Sequence, residues 1–316
     1  MDRKEITRRI KEKAAEIGFT KAGVTTAAPF DAEADRFQRW VESGAHGVMN
    51  WMERDRDKRR DVRNILPEAK SILSLALNYY TERPEDANLK ISRYAWGTDY
   101  HEIVPKMLKT LLAEIQNLVP GTEGRYYSDT GPVLEKAIAE RAGVGWRGKH
   151  TNVITREVGS WVFLAEIILS IELEPDPPAE DMCGTCTRCI DACPTDALKP
   201  YEIDATRCIA YLTIELKPEH EIPKELAAKL DGWIYGCDVC QEVCPWNRFS
   251  EPAPVEAFAP RETIVTLTEE AVESMAQDEY SRRFQKSPMK RAKLAGLKRN
   301  LRALKQSKQH HAKEKA

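Results

Sequence analysis

The sequence lacks long hydrophobic runs, an N-terminal leader and any cysteine outside one segment. No apolar stretch among the 316 residues approaches the roughly 20 residues of a membrane-spanning helix, so no membrane association is expected. The first 16 residues are highly charged and lack the apolar core of a signal peptide. A disulfide framework would need an oxidising compartment, and this N-terminus carries no signal for one. Together these absences predict a cytoplasmic location.

Two common nucleotide-binding fingerprints are missing as well. There is no G-x-G-x-x-G after a predicted strand and no Walker A motif, so neither type of nucleotide site is expected. Hydrophobic residues make up 42% and charged residues 31% of the chain, which is the composition of an ordinary globular protein. The chemistry must therefore be sought in the cysteines.

All eight cysteines lie in the segment from Cys183 to Pro245. The first four form the run C-x2-C-x2-C-x3-C-P and the last three form C-x2-C-x3-C-P, with Cys208 between the runs. In bacterial ferredoxins, three cysteines of such a run bind one [4Fe–4S] cluster and the fourth binds the other cluster. This crossed rule predicts a first cluster held by Cys183, Cys186, Cys189 and Cys244. It predicts a second cluster held by Cys193, Cys208, Cys237 and Cys240.

Zinc and free thiols are the alternatives to iron–sulfur clusters. A structural zinc site takes four ligands, commonly from two C-x2-C pairs, and the longer first run does not match that arrangement. Two [4Fe–4S] clusters use all eight thiolates and leave none over. We therefore interpret the segment as a two-cluster ferredoxin-like domain.

About 180 residues precede the cysteines, enough for a domain with its own core. Single predicted helices separate the strands there, and Asn152–Glu157 with Ser160–Leu173 is typical of a hairpin around Gly159. We therefore predict an α+β fold with a mixed sheet. The predicted boundaries are 1–175 for this domain, 176–260 for the two-cluster domain after a proline-rich linker, and 261–316 for a basic helical C-terminus.

Charge is distributed unevenly along the chain. Residues 281–316 contain 13 Lys or Arg and a single acid, which gives a local charge of +12. Because the whole chain carries −2, residues 1–280 together carry −14. A basic tail on an acidic body indicates contact with nucleic acid, and a solvated terminus is the alternative. Four leucines in the tail are spaced to form one apolar helical stripe, namely Leu294, Leu297, Leu301 and Leu304.

Four separated motifs are RYAWGTDYH at 93–101, SDTGPVLEKAIAERAGVGWRGK at 128–149, DMCGTCTRCIDACPTDAL at 181–198 and IYGCDVCQEVCPWN at 234–247. Together they resemble the epoxyqueuosine reductases, over the chain from about residue 5 to about residue 300. The resemblance implies a nitroreductase-like domain that binds base-off cobalamin, and a relationship to the reductive dehalogenases. It implies reduction of epoxyqueuosine to queuosine at the wobble position of tRNA, the last step of queuosine biosynthesis. Some members continue into HEAT-like repeats, for which this chain is too short.

The resemblance also implies residue roles. Asp129 matches the family's proton donor, and a carboxylic acid that keeps its proton near pH 7 needs desolvation. The alternative is that Asp129 caps the helix that begins near Pro132. Cobalamin contacts are implied at Arg59, Asp129, Val153, Leu164 and Ala210.

Each of these contacts has an ordinary structural alternative. Arg59 lies in a charge run that could be a solvated face, and Val153 and Leu164 could belong to any sheet core. No histidine lies in the D-x-H-x-x-G pattern that donates an imidazole to cobalamin, which fits a base-off cofactor.

The expected partners are tRNA carrying epoxyqueuosine and an external low-potential electron donor, and the chain is expected to be a monomer. Two other classes of function stay open at this point. A corrinoid small-molecule reductase of the dehalogenase type usually carries an export signal, which is missing here, and it would leave the basic tail without a role. A non-enzymatic electron carrier would hold clusters but no corrinoid.

Overall fold

The computed structural model describes residues 1–85 and 88–314, and the side chains of all of these except 307–314. The helices are α1 (Arg3–Ile17), α2 (Asp31–Glu42), α3 (Arg56–Arg60), α4 (Tyr100–Leu118), α5 (Glu135–Arg141), α6 (Arg188–Asp191), α7 (Lys224–Ala227), α8 (Val239–Glu242), α9 (Glu262–Val265), α10 (Glu269–Ser274), α11 (Gln277–Arg283) and α12 (Lys293–Glu314). The strands are β1 (Lys21–Thr26), β2 (Ser71–Asn78), β3 (Lys90–Ile91), β4 (Gly124–Tyr127), β5 (Trp146–Arg147), β6 (Val153–Ile154), β7 (Val162–Leu169), β8 (Leu198–Lys199), β9 (Glu202–Ile203) and β10 (Trp233–Tyr235). No helix in the described ranges combines the length and apolarity that crossing a bilayer requires.

The main sheet has the strand order β1-β2-β7-β4, and every neighbouring pair is antiparallel. The α+β class is confirmed, but the prediction of a mixed sheet is wrong. β2 is buried along its whole length. Such burial is also typical of parallel strands that lie between two layers of helices. Here α1 and α4 pack on one side of the sheet and α5 packs on the other, so antiparallel strands are buried on both faces.

The two faces of the sheet have different chemistry. Leucines of β2 and Ile167 of β7 meet α1 and α4 in one apolar cluster. The opposite face, toward α5, carries Ser74, Leu164 and Glu166, since these alternate with the first set along their strands. An acidic residue at the centre of a sheet is therefore held on the α5 side.

The predicted hairpin around Gly159 is wrong. β6 pairs with β5 and β7 pairs with β2 and β4, while an isolated antiparallel bridge joins Thr155 to Gly159, both of which precede β7. The turn is held from outside, because Asn247 Oδ1 accepts hydrogen bonds from Ser160 N at 2.6 Å and Ser160 Oγ at 3.3 Å. Gly159 has φ +73°, and a Cβ there would lie 2.1 Å from Asn247 Oδ1. This contact fixes the cysteine-rich segment against the start of β7.

The basic tail packs onto the cysteine-rich segment as far as residue 306. Leu297, Leu301 and Leu304 are buried in one apolar cluster with residues of 205–235, which confirms the predicted stripe. Arg299 is also buried and donates to the carbonyls of Leu212 and Leu216. This part of the tail is thus an integral element of the fold, contrary to the alternative of a solvated terminus.

Candidate active site and cluster centre

The eight cysteines form no disulfide bond. The pKa of the Cys189 thiol is raised to about 11, first by burial and then by three neighbouring thiols, those of Cys244, Cys183 and Cys186. Burial also raises the pKa of Cys237, with a further contribution from Cys208. Cys189 thus interacts with the other three predicted ligands of the first cluster, and Cys237 interacts with one predicted ligand of the second cluster. The ligand assignment itself stays a prediction.

Lys149 connects the first 175 residues to the cysteine-rich segment. Its Nζ donates to the carbonyls of Gly184 at 2.6 Å and Cys186 at 3.0 Å, both in the first cysteine run.

Asp129 lies in the loop between β4 and α5, with its side chain 60% exposed. Its backbone is left-handed at φ +63°, and its N–H donates to a carboxylate oxygen of Glu135. α5 begins only at Glu135, and its N-cap position, Leu134, makes no side-chain cap. The alternative role of Asp129 as a helix cap is therefore wrong, and its side chain is free for another function.

His101, in the first turn of α4, is the partner of Asp129. Its Nε2 lies 3.3 Å from Asp129 Oδ2, and its Nδ1 lies 2.8 Å from Asp99 Oδ1. These two carboxylates raise the pKa of His101 to about 9. Desolvation by the surrounding protein acts to raise the pKa of Asp129, but hydrogen bonds with His101 and Tyr100 outweigh it and lower the pKa. Near pH 7 the proton is therefore on the imidazole, whereas the sequence argument expected it on the aspartate.

Two further carboxyl groups lie beneath this loop. Burial and the charge of Asp129 raise the pKa of Glu135 to about 7. Glu166 is fully buried on β7, and burial together with Glu135 raises its pKa well above the usual range. At least one proton is thus retained between the two carboxyls near neutral pH. The signal for Glu166 was visible in the sequence as an acid within the apolar strand VFLAEIIL.

The structure brings four of the five proposed cobalamin contacts to the same loop and sheet face. Arg59 Nη1 lies 3.4 Å from the carbonyl of Val133, beyond Asp129 in the loop, and burial lowers the Arg59 pKa. Leu164 is held below the loop, because its carbonyl accepts from Ser128 Oγ at 2.9 Å. Val153 packs in the small apolar cluster that Leu164 borders.

Ala210, the fifth contact, lies instead on the cysteine-rich segment, directly before the π-helical turn Tyr211–Glu215. Arg59 is half-buried, so the alternative of a solvated face does not describe it.

Several donors in this region have no partner among the described residues. Buried and unpaired nitrogen atoms are found on Arg59 (Nε), Arg147 (Nε) and His150 (Nε2). Burial also lowers the pKa of His150 to about 4, so its imidazole is neutral near pH 7. Buried polar groups are nearly always hydrogen-bonded, so each of these atoms needs a water molecule or a polar ligand as its partner.

Comparison with known proteins defines the family. The model described as "Epoxyqueuosine reductase QueG, DUF1730" matches residues 59–130, and "4Fe-4S double cluster binding domain" matches residues 182–247. A protein of Leadbetterella byssophila named epoxyqueuosine reductase is 46% identical over 94% of this chain and 98% of its own length. The chain belongs to the epoxyqueuosine reductase family. A family member from Synechocystis is also 46% identical, over 86% of this chain and 95% of its own.

Solved structures of epoxyqueuosine reductases share the fold. One, described with a tRNA-Tyr epoxyqueuosine-modified stem loop, is 33% identical and has a TM-score of 0.88 over 95% of this chain and 80% of its own. The enzyme from Streptococcus thermophilus is 31% identical, with a TM-score of 0.87 over 96% of this chain and 81% of its own. The loop of Asp129, the sheet and the cysteine-rich segment thus lie in the part of the chain that these enzymes share.

Proposed function

We propose that this chain reduces epoxyqueuosine in tRNA to queuosine at the wobble position, the last step of queuosine biosynthesis. The family assignment supports the substrate, and the hydrogen-bonded pair of Asp129 and His101 carries the chemical argument. The rings of Tyr100, Phe163 and Tyr79 pack one on the next, starting beside His101. Tyr79 Oη accepts a hydrogen bond from Gln241 Nε2 at 3.4 Å, and Gln241 is the chain neighbour of Cys240. A proton source and a redox centre are therefore close together, as a reductive removal of oxygen requires.

The reaction has a simple balance. Conversion of the epoxide to an alkene breaks both C–O bonds and releases the oxygen as water, which consumes two electrons and two protons. The imidazolium of His101 donates a hydrogen bond to Asp129 and holds one of these protons. Glu135 and Glu166 retain another below the same loop. We assign to Asp129 the transfer of a proton to the departing oxygen, with His101 as its supply.

Two electrons must be combined at one place, because iron–sulfur clusters deliver them singly. Base-off cobalamin, when bound, supplies a nucleophilic or reducing centre that can act on the epoxide carbon. The apolar side chains of Val153 and Leu164 and the unpaired donors of Arg59, Arg147 and His150 fit the faces and amide groups of a corrin ring. We propose that these residues and Ala210 hold it, in a domain of nitroreductase type.

The proposed activity is tested with anaerobically purified protein loaded with clusters and cobalamin. Reduced methyl viologen supplies the electrons and tRNA containing epoxyqueuosine is the substrate. We expect queuosine in the nucleoside digest, detected by mass spectrometry as a product 16 mass units lighter than epoxyqueuosine. Protein stripped of cobalamin serves as the matched control. Conversion of epoxyqueuosine without cobalamin would remove that cofactor from the proposal, and no conversion in the loaded protein would remove the function.

The cluster assignment predicts about eight iron and eight acid-labile sulfide per chain. Cys208→Ser should selectively damage the predicted second cluster, because Cys208 is the ligand that lies apart from both cysteine runs. Iron analysis and EPR of the reduced protein measure this, with Met182→Ser as an exposed control beside the first run. Two intact clusters in Cys208→Ser would show that Cys208 is not a ligand.

The tail is proposed to contact tRNA through its exposed cations. Truncation after Tyr280 would remove buried leucines, so charge neutralisation is the better test. Lys286→Gln with Lys290→Gln should lower the slope of log K against log salt by about 2 if each lysine meets one phosphate. Both side chains are exposed.

The control for this experiment is Lys4→Gln with Lys109→Gln, which alters two exposed lysines outside the tail. Filter binding across a salt series reports both slopes. An equal slope for the tail variant and the wild type would assign these charges to solubility.

We also propose the domain boundaries at residues 175 and 260, the monomeric state and the cytoplasmic location that the sequence predicts. The segment 172–183 contains no helix or strand, which supports a linker before the cysteines.

A further inference from the structure

A cavity of about 890 Å³ opens beside the predicted first cluster, away from the loop of Asp129. Cys244, a predicted ligand of that cluster, lines this cavity together with Arg93, Arg188 and Arg248. The established family assignment and the proposed function use none of these three arginines. The cavity offers a route by which an external molecule could approach the first cluster.

Arg93 is the buried part of the cavity wall. It is only 8% exposed, and its Nε has no hydrogen-bond partner. Its guanidinium carbon lies 5.0 Å from the ring centre of Tyr80 and 4.5 Å from that of Trp161. Its backbone N–H donates to Asp238 Oδ2 at 2.7 Å, next to Cys237. Aromatic rings thus fix a cation at the cavity wall, and this cation forms no salt bridge with a described residue.

Arg188 and Arg248 are the exposed part of the wall, and neither forms a salt bridge with a described residue. Asp191 and Glu242 also line the cavity, and Asp191 accepts a hydrogen bond from Thr187 Oγ1 at 2.7 Å. The lining is therefore net positive on a body whose residues 1–280 sum to −14. The positive lining attracts an acidic partner, and the acidic surface of the rest of the protein repels it.

We propose that this cavity is the docking site of a small acidic one-electron carrier protein, which reduces the first cluster at Cys244. The proposal rests on the proposed function, because only a reductase needs repeated electron input. Each docking oxidises the carrier by one electron and reduces a [4Fe–4S] cluster by one electron. Two dockings supply the two electrons of one turnover. The first cluster receives electrons, and the second passes them on.

The test uses the loaded protein and reduced plant-type [2Fe–2S] ferredoxin, an acidic carrier with a potential of about −400 mV. Arg188→Glu with Arg248→Glu should lower the second-order rate of cluster reduction about tenfold or more at low ionic strength. The difference should shrink as salt rises, because screening removes it. Arg125→Glu, at an exposed arginine of β4 outside the cavity, should change the rate little.

Reduced methyl viologen allows the proposed function to be tested separately from the proposed docking site. This small cation should reduce the double variant no more slowly than the wild type, and turnover of epoxyqueuosine-containing tRNA with it should persist. Loss of that turnover in the wild type would contradict the proposed function alone. An unchanged ferredoxin rate in the double variant overturns the docking site. A selective loss of tRNA affinity would also overturn it, by assigning the arginines to RNA.

Discussion

Asp129→Asn is expected to lower the rate of epoxyqueuosine reduction by about 10² to 10⁴, the usual contribution of general acid catalysis. Negative charge grows on the oxygen as its bond to carbon breaks, and a proton donor in reach lowers that barrier. Asparagine keeps the size of the side chain and tolerates the left-handed backbone at φ +63°. It cannot release a proton, so both clusters and bound cobalamin should survive while turnover falls.

The measurement is a single-turnover rate with reduced methyl viologen, accompanied by a melting temperature. Asp231→Asn is a matched control, because Asp231 is also an aspartate with positive φ, at +46°, in an exposed turn. The pKa of His101 should also fall in Asp129→Asn, since Asp129 is the largest cause of its elevation. Near-normal turnover in Asp129→Asn would remove this residue from the mechanism.

The two-cluster domain could be predicted from the sequence, because the run C-x2-C-x2-C-x3-C-P is a local pattern. The direction of the strands could not, because it depends on how helices α1, α4 and α5 cover the sheet rather than on the pattern within β2. The hairpin around Gly159 failed for a similar reason. Asn247, from the cysteine-rich segment, takes the hydrogen bonds of the turn, and no local pattern reveals a contact between such distant parts of the chain.

The candidate site was predicted in part. Asp129 came from one family motif, and its partner His101 ends another, RYAWGTDYH at 93–101, where the sequence assigned it no role. Their contact exists because the start of α4 lies beside the loop after β4. Glu166 was visible as an acid in an apolar strand, yet its effect depends on Glu135 from a different element. Such contacts determine which group holds a proton. The sequence alone therefore did not show that the proton lies on His101.

His101→Gln is expected to move the pH dependence of turnover. The wild-type pair keeps its proton below a pKa of about 9, so the rate should fall only above that pH. Without the imidazole, the proton has to reside on Asp129, whose ordinary pKa is several units lower. The alkaline limb of the rate profile should therefore shift to lower pH, with a loss of between about 10²- and 10⁴-fold at pH 8.

The pH dependence of the protein's stability tests independently whether His101 holds this proton. The pKa of His101 is raised from 6.5 to about 9 on folding, so its contribution to stability is complete below pH 6.5 and is lost as the pH rises through about 9. Melting temperatures measured across this range should fall more in the wild type than in His101→Gln. His220→Gln, in a turn where no comparable carboxylate pair is found among the described residues, is the control. If the alkaline limb in His101→Gln stays near pH 9, the proton comes from another group, and Glu135 with Glu166 becomes its source.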